Sequence, residues 1–363
     1  MKKNKVLIVS LLTLILLSCA TTQTSIPETP TEIIPERPEI PLYTPPQWLS
    51  NTEAIYPTSQ WLYAVEEGMS TTEATEKAIN RLAQTLGVDL AQVTRANSDL
   101  AEITRNARAN TMAVSLSQFD IATELPNIAI PERLMGLETE TWLLPPTGTT
   151  HAIARINKSE TATRYRIKID ENQRVIDMLL QKARTAPRTF EAVQLTSIAH
   201  KIAVVNDYDL AVLRAVDISA QDMQPSYQNA ENLRTQAQTA QRAIVIHVKV
   251  DGDINGRINK AFTEYLNFRG FRTGAATVSQ YILDATIILT EQDPNAQHKT
   301  INYTLNYTLK NQDGVELLAY SENGREGHNA INEARNRAVR AAERAISSTG
   351  FAVVFGEFIE SLR

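Results

Sequence analysis

The chain has 363 residues and a formal net charge of −5, with 43% hydrophobic and 21% charged residues. This acidic balance argues against nucleic acid as a partner, and the length is enough for two or three domains. Aromatic residues make up only 6% of the chain and glycines number 13, so the composition favours neither a sugar-stacking groove nor a glycine-rich phosphate loop.

The first 18 residues have the parts of a bacterial export signal. Lys2, Lys3 and Lys5 form a positive head, and an apolar run of 12 residues follows from Val6 to Leu17. This run is too short to span a hydrocarbon core, which takes roughly 20 apolar residues. We therefore expect residues 1–18 to be a signal that is removed. The mature chain then has a net charge of −8, which also argues against a polybasic membrane patch.

The signal ends in Leu16-Leu17-Ser18-Cys19, which resembles the lipobox of bacterial lipoproteins, with Leu17 bulkier than the pattern usually has. Cys19 is the only cysteine, so an exported form cannot make an internal disulfide. An ordinary secretory signal with a chance cysteine is the alternative. We predict lipidation at Cys19, with palmitate-type acyl chains as a permanent covalent anchor in membrane lipid.

The residue after the cysteine bears on the destination of the chain. Ala20 stands where retained lipoproteins carry aspartate, and this resembles the pattern of outer-membrane lipoproteins. We expect a location in the bacterial cell envelope, lipid-anchored at the outer membrane and facing the periplasm or the surface. Residues 19–47 should form a disordered linker, since seven of the 15 prolines lie between Ala20 and Gln47.

A first α+β domain is predicted over residues 48–157. A strand at 60–66 precedes Ser70-Thr71-Thr72-Glu73, which is a capping box, and small apolar residues then recur every fourth position to form one face of a helix. A polar helix should continue to about Arg108. The remaining predicted strands cover residues 111–125, 133–144 and 150–156.

A helical spacer is predicted over residues 158–241. Its helices should run from Ser159 to Arg184 and from Phe190 to Val205. Asp207 to Asp209 should break the second helix and cap another, because aspartate competes with the helical backbone and favours helix starts. The polar segment from Ser226 to Gln241 is interpreted as a connector helix.

A second α+β domain is predicted over residues 242–363. It begins with an apolar strand at 243–250 and ends in an alanine-rich helix at 329–348 and a short apolar tail. The strand at 300–310 alternates apolar with asparagine and threonine residues, so it should have one wet face. The fold class is therefore α+β, with two small helix-on-antiparallel-sheet domains joined by an α-helical spacer.

Several of these pieces resemble the LPP-twenty lipoprotein family and the related amino-terminal domain of flagellar assembly protein T. The resemblance covers about residues 48–165 and is carried by Pro46-Gln47-Trp48-Leu49, Trp61-Leu62-Tyr63-Ala64-Val65, Glu73-Ala74, residues 136–142 and residues 151–156. It implies a lipoprotein with an α+β domain. The chain departs from the family's pattern after the first strand, where only one of the usual glycines is present. The last block is similar in topology to small domains of curli-secretion lipoproteins and penicillin-binding-protein activators.

Residues capable of chemistry are present but scattered. Glu138 and Glu140 share a strand face. They could act as a catalytic acid and base, but two glutamates on a solvated strand face are far commoner, and we favour that interpretation. Asp251-Gly252-Asp253 starts like a calcium loop but lacks the later ligands, so a turn is favoured. Arg337, Arg340 and Arg344 on the last long helix form an anion patch or, as we favour, a face of ion pairs. No pair at ligand spacing is found among the five histidines, which are His151, His200, His247, His298 and His328.

These observations predict a non-enzymatic envelope protein with structural, assembly or interaction work, without metal, cofactor or small-molecule substrate. A periplasm-spanning activator of a cell-wall synthesis enzyme is the alternative, and a hydrolase is a third interpretation. We expect a protein partner or self-association, and we do not expect nucleic acid as a partner. The predicted partner surface consists of Asn302, Thr304 and Asn306, on the wet face of the strand at 300–310.

Overall fold

The computed structural model describes residues 44–110 and 134–362. The predicted export signal, Cys19, the linker up to residue 43 and the predicted strand at 111–125 therefore lie outside the described residues. The helices are α1 (Gln47–Ser50), α2 (Thr52–Ile55), α3 (Thr71–Thr85), α4 (Leu90–Asn110), α5 (Lys158–Thr185), α6 (Phe190–Val216), α7 (Ala230–Ala243), α8 (Arg257–Phe268), α9 (Ile331–Ser348) and α10 (Gly350–Ser361). The strands are β1 (Trp61–Gly68), β2 (Glu138–Leu144), β3 (Thr149–Asn157), β4 (Val245–Asp251), β5 (Arg272–Thr273), β6 (Tyr281–Glu291), β7 (Lys299–Asn311) and β8 (Glu316–His328).

The first sheet is antiparallel, with strand order β1-β3-β2, and α3 packs on one of its faces. The helix starts at the predicted capping box: Ser70 Oγ accepts from the backbone N–H of Glu73 at 3.2 Å. The Glu73 carboxylate reaches back one residue further than predicted and accepts from the N–H of Met69 at 2.9 Å. Ala74 and Ala78 are fully buried, and their small size lets the helix lie close to the strands.

The break that the sequence predicts at Asp207 to Asp209 is wrong, because α6 continues through both residues. Each carboxylate has a partner in the tertiary structure. Asp209 forms a 2.9 Å ion pair with Lys168 of α5. Asp207 accepts from the backbone N–H of Ala230 at 3.0 Å, so it caps the start of α7 instead of the second half of its own helix. Helix propensity was overridden here by these contacts.

Helix α6 contributes to all three hydrophobic cores among the described residues. Its first turn places Phe190 in the core of the second sheet, and Phe190 N–H donates to Tyr281 Oη at 2.9 Å. Its middle turns, including Ile198 and Ile202, pack with α5 and α7. Its last turns, including Leu213, belong to the core under the first sheet. The helical region is thus continuous with both sheets.

The second sheet has the strand order β5-β4-β6-β7-β8. It is mixed, because β4 is parallel to β5 and β6 while β6, β7 and β8 pair antiparallel, so the fully antiparallel sheet predicted for this domain is wrong. The parallel pairs follow from α8, which carries the chain from the end of β4 back to the start of β5. Helices α8, α9 and α10 all pack on one face, where Phe262 and Phe351 are buried against Tyr307 and Phe355 stacks on Phe351. The α+β class is confirmed.

Candidate functional site

The predicted partner residues lie together on the uncovered face of the second sheet. In β7, the side chains of Ile301, Tyr303, Leu305, Tyr307 and Leu309 are buried under the helices, and the alternate side chains point the other way. Asn302 and Asn306 are exposed, and Thr304 is half-buried. The strand therefore has the wet face that its alternation indicates.

The neighbouring strand extends this polar area. Thr304 is in register with Asn323 of β8, and its hydroxyl donates to Asn323 Oδ1 at 2.7 Å. Asn306 is in register with Ser321, which is also exposed. We call these five residues, Asn302, Thr304, Asn306, Ser321 and Asn323, the β7–β8 surface. All five are uncharged and offer amide and hydroxyl groups, and one exposed cation borders them, because Arg325 of β8 is in register with Asn302.

Charged side chains lie on the same face at the β4–β6 side, where one lysine stands near two carboxylates. Lys249 lies 3.2 Å from Asp251 and 3.6 Å from Asp284. The hydrogen bond to Asp251, with the charge of Asp284, raises the pKa of Lys249 above its ordinary value. The face therefore has a charged strip on β4 and β6 and the five uncharged side chains of the β7–β8 surface, with Arg325 beside Asn302 at one end of that surface.

The acidic pair on β2 shares one arginine of the neighbouring strand. Arg155 of β3 bonds Glu138 at 2.9 Å and Glu140 at 3.2 Å, and its guanidinium lies 4.5 Å from the centre of the Tyr56 ring. The indole N–H of Trp48 donates to Glu140 at 2.7 Å. Both carboxylates are thus held by one cation, and at 50% and 46% exposure they stay on a solvated strand face.

Residues 44–58 form a strap across the outer face of the first sheet. Trp48 is only 3% exposed, and the Tyr56 ring meets the Trp61 ring edge-on at 5.3 Å. Glu53 accepts from the N–H of Thr58 at 2.9 Å and from the hydroxyl of Tyr63 at 3.1 Å. The sequence places the start of the folded part at Trp48 but does not indicate this role for it. The one sequence feature that points to the strap is a tryptophan directly after the proline-rich segment.

The other groups considered from the sequence have structural roles where they are described. Asp251-Gly252-Asp253 forms a turn, and Asp253 caps α8 by accepting from the N–H groups of Ile258 and Asn259. Each arginine of the last long helix has an acidic neighbour, Arg337 and Arg340 at Glu333 and Arg344 at Glu326. Within residues 44–110 and 134–362, no group of three or more potential metal ligands is found.

Comparisons with known proteins give no family assignment. The chain matches no protein-family model and no curated protein. Among solved structures, a minor lipoprotein from Acinetobacter baumannii has a TM-score of 0.24 at 8% identity, covering 32% of this chain and 93% of its own. A secreted protein from Helicobacter pylori has a TM-score of 0.35 at 13% identity, covering 80% and 98%. A candidate lipoprotein from Caulobacter crescentus has a TM-score of 0.23 at 12% identity, covering 32% and 89%.

None of the described helices is both long enough and apolar enough to cross a membrane. The three similar structures come from two lipoproteins, one of them a candidate, and a secreted protein, and TM-scores of this size do not establish a common fold.

Proposed function

We propose that this chain is a lipoprotein of the bacterial cell envelope, anchored through Cys19, whose folded body binds a protein partner without catalysing a reaction. The β7–β8 surface is the observation that carries the proposal. A sheet that is packed by three helices on one face keeps its other face open, and five uncharged polar side chains lie together there although the mature chain has a net charge of −8.

The chemistry of the surface defines the kind of contact. Asn302 and Asn306 offer amide donors and acceptors at two positions along one strand, and Ser321 adds a hydroxyl beside them. Such groups bind a partner through neutral hydrogen bonds and shape, so association should depend little on salt. A partner that relied on long-range charge attraction would behave in the opposite way.

The proposal includes an outer-membrane location and a relation to the LPP-twenty family. The lipobox and Ala20 support an anchor in the outer membrane. The order strand, helix, strand, strand at β1, α3, β2 and β3 supports a relation to the LPP-twenty family, together with the residues that resemble it. The anchor and the linker would hold the folded body close to the membrane, whether it faces the periplasm or the cell surface.

Lysine substitution tests the partner surface. The triple variant Asn302→Lys, Thr304→Lys, Asn306→Lys should abolish capture of the partner. It should lower the free energy of unfolding by only about 1 kcal/mol, because one hydrogen bond, from Thr304 to Asn323, is lost. The partner is identified by photo-crosslinking from position 306 in intact cells.

A matched control places the same three charges elsewhere. Thr235, Gln236 and Thr239 are exposed on α7, which is not part of the sheet, and their substitution by lysine should leave capture unchanged. Capture that survives the β7 variant would refute the assignment of this surface. Loss of the far-ultraviolet circular dichroism signal would show that the face is buried, which also contradicts the proposal.

A further inference from the structure

A groove runs between α4 and α6, on the side of the helical region. It consists of two adjoining cavities of about 500 Å³ and 240 Å³, and Asp99, His200 and Lys201 line both. Because the two cavities share these residues, they form one continuous site. Val193 lines the larger cavity and Val204 the smaller one, so each end has an apolar wall of modest size.

Opposite charges stand at the two ends of the groove. Arg95 lines the smaller cavity and Glu102 the larger one, and both side chains lie on the groove side of α4. Arg234 and Glu360 also line the larger cavity, but each is paired with another residue, Arg234 with Glu231 and Glu360 with Arg269. Arg95 and Glu102 are seven residues apart, which is two helical turns and about 10 Å along the axis. Both residues are exposed, and neither forms an ion pair in the part of the chain that the structure describes.

The middle of the groove offers a hydrogen-bond acceptor. His200 Nδ1 is 2.9 Å from the carbonyl oxygen of Ala230, so this nitrogen must carry the proton and donate it. Burial lowers the pKa of His200 and favours the neutral ring. Its Nε2 then keeps a lone pair. Beside it, Asp99 and Lys201 are 3.5 Å apart and partly exposed, a loose pair that a ligand can separate at little cost.

We propose that the groove between α4 and α6 binds a short extended peptide of about three residues with free amino and carboxyl ends. Three extended residues span about 10 Å, which matches the separation of the two unpaired charges. The peptide ammonium pairs with Glu102, its carboxylate pairs with Arg95, and a backbone N–H donates to His200 Nε2. Small side chains fit against Val193 and Val204. This site is separate from the β7–β8 surface.

Titration with trialanine tests the site, using the mature full chain with Cys19→Ser so that it stays in solution. Isothermal calorimetry should show saturable binding with one peptide per chain. Acetylated and amidated trialanine, which has no charged ends, should bind at least about tenfold more weakly, as expected for two lost charge contacts. Glu102→Gln and Arg95→Gln should each weaken trialanine binding about fivefold or more.

Matched variants away from the groove complete the test. Glu316→Gln and Arg174→Gln remove the same charges from other exposed positions and should leave binding unchanged. Circular dichroism should be the same for all four variants, since every substituted side chain is exposed. No saturable binding at millimolar trialanine would overturn the proposal. Equal binding of the blocked peptide, or equal effects of groove and control variants, would overturn it as well.

Discussion

Lys168 Nζ lies 2.9 Å from Asp209 Oδ2 in an ion pair that joins α5 to α6, and each side chain is about one-tenth exposed. Burial raises the pKa of Asp209, although the nearby Lys168 acts in the opposite direction. Removing one partner leaves a charge in the interior. We predict that Asp209→Asn lowers the free energy of unfolding by about 3 kcal/mol.

Urea unfolding measures this effect. The double variant Lys168→Met, Asp209→Leu should be more stable than Asp209→Asn, because no unpaired charge remains. Arg164→Met breaks the exposed pair with Glu160 on the same helix and should cost less than about 0.5 kcal/mol. Equal losses for Asp209→Asn and Arg164→Met would contradict the buried character of the first pair.

Asp217 should make stability sensitive to acid. Its carboxylate accepts from Arg166 at 2.6 Å and from the N–H of Ser219 at 2.9 Å, and the hydrogen bond from Arg166 is the main reason that its pKa falls to about 2. A carboxyl group with a lowered pKa stabilises the fold above its ordinary value of 3.8, and this contribution is lost as the pH falls towards 2.

The variant Asp217→Asn should therefore lose less stability than the unchanged protein between pH 3.8 and about 2, measured by urea unfolding at each pH. Asp222→Asn, at an exposed neighbouring position, is the control and should follow the unchanged protein. Identical pH profiles for all three proteins would show that Asp217 does not contribute.

Trp48 should fix the strap to the first sheet. Its side chain is 3% exposed and its indole N–H bonds Glu140, so Trp48→Ala should lower the free energy of unfolding by about 3 kcal/mol. Trp48→Phe keeps most of the packing and loses one hydrogen bond, which costs about 1 kcal/mol. Chemical denaturation distinguishes the two. If both variants lose the same small amount, the strap is not part of the folded body.

Gly252 should tolerate no side chain. Its φ is +75°, and a Cβ atom there would lie 2.3 Å from the carbonyl oxygen of Ile287. We expect Gly252→Ala to cost about 3 kcal/mol or more, since left-handed strain and a backbone clash add. Gly314 has a φ of +80° with open space around it, so Gly314→Ala should cost only about 1 kcal/mol. A denaturation series that ranks the two glycines equally would contradict the clash.

Cys19 should carry the lipid. Replacement by serine should abolish incorporation of labelled fatty acid and move the protein from the detergent phase to the aqueous phase on Triton X-114 partitioning. An unchanged distribution would contradict lipidation at this residue. Ser18→Ala, which keeps a small residue before the cysteine, provides a control that should still be processed.

Local chemistry explains which parts of the fold were predictable. Ser70 and Glu73 lie within four residues of the groups that they cap, so the start of α3 could be identified from the sequence. The alternation in β7 likewise indicated which side chains face solvent. Asp207 and Asp209 misled the prediction because their partners, Ala230 and Lys168, are 23 and 41 residues away.

The strap could not be predicted either, because its contacts join residues that are still further apart in the sequence. Trp48 and Glu140 are 92 residues apart, and no local pattern links them. The groove between α4 and α6 also could not be predicted. Arg95 and Glu102 have the spacing of any exposed helix face, and only the packing of α4 against α6 sets them around His200. Pairings of this kind are decided by the tertiary structure.

The place of α6 in all three cores has a consequence for how the protein unfolds. The helix has 27 residues, or about 40 Å, and its two ends are buried under different sheets. Neither sheet can open fully without exposing part of this helix, so the regions cannot melt one at a time. Amide hydrogen exchange near Ile198 and Ile202 should proceed only through global unfolding, and the described chain from residue 44 onward should behave as one cooperative unit.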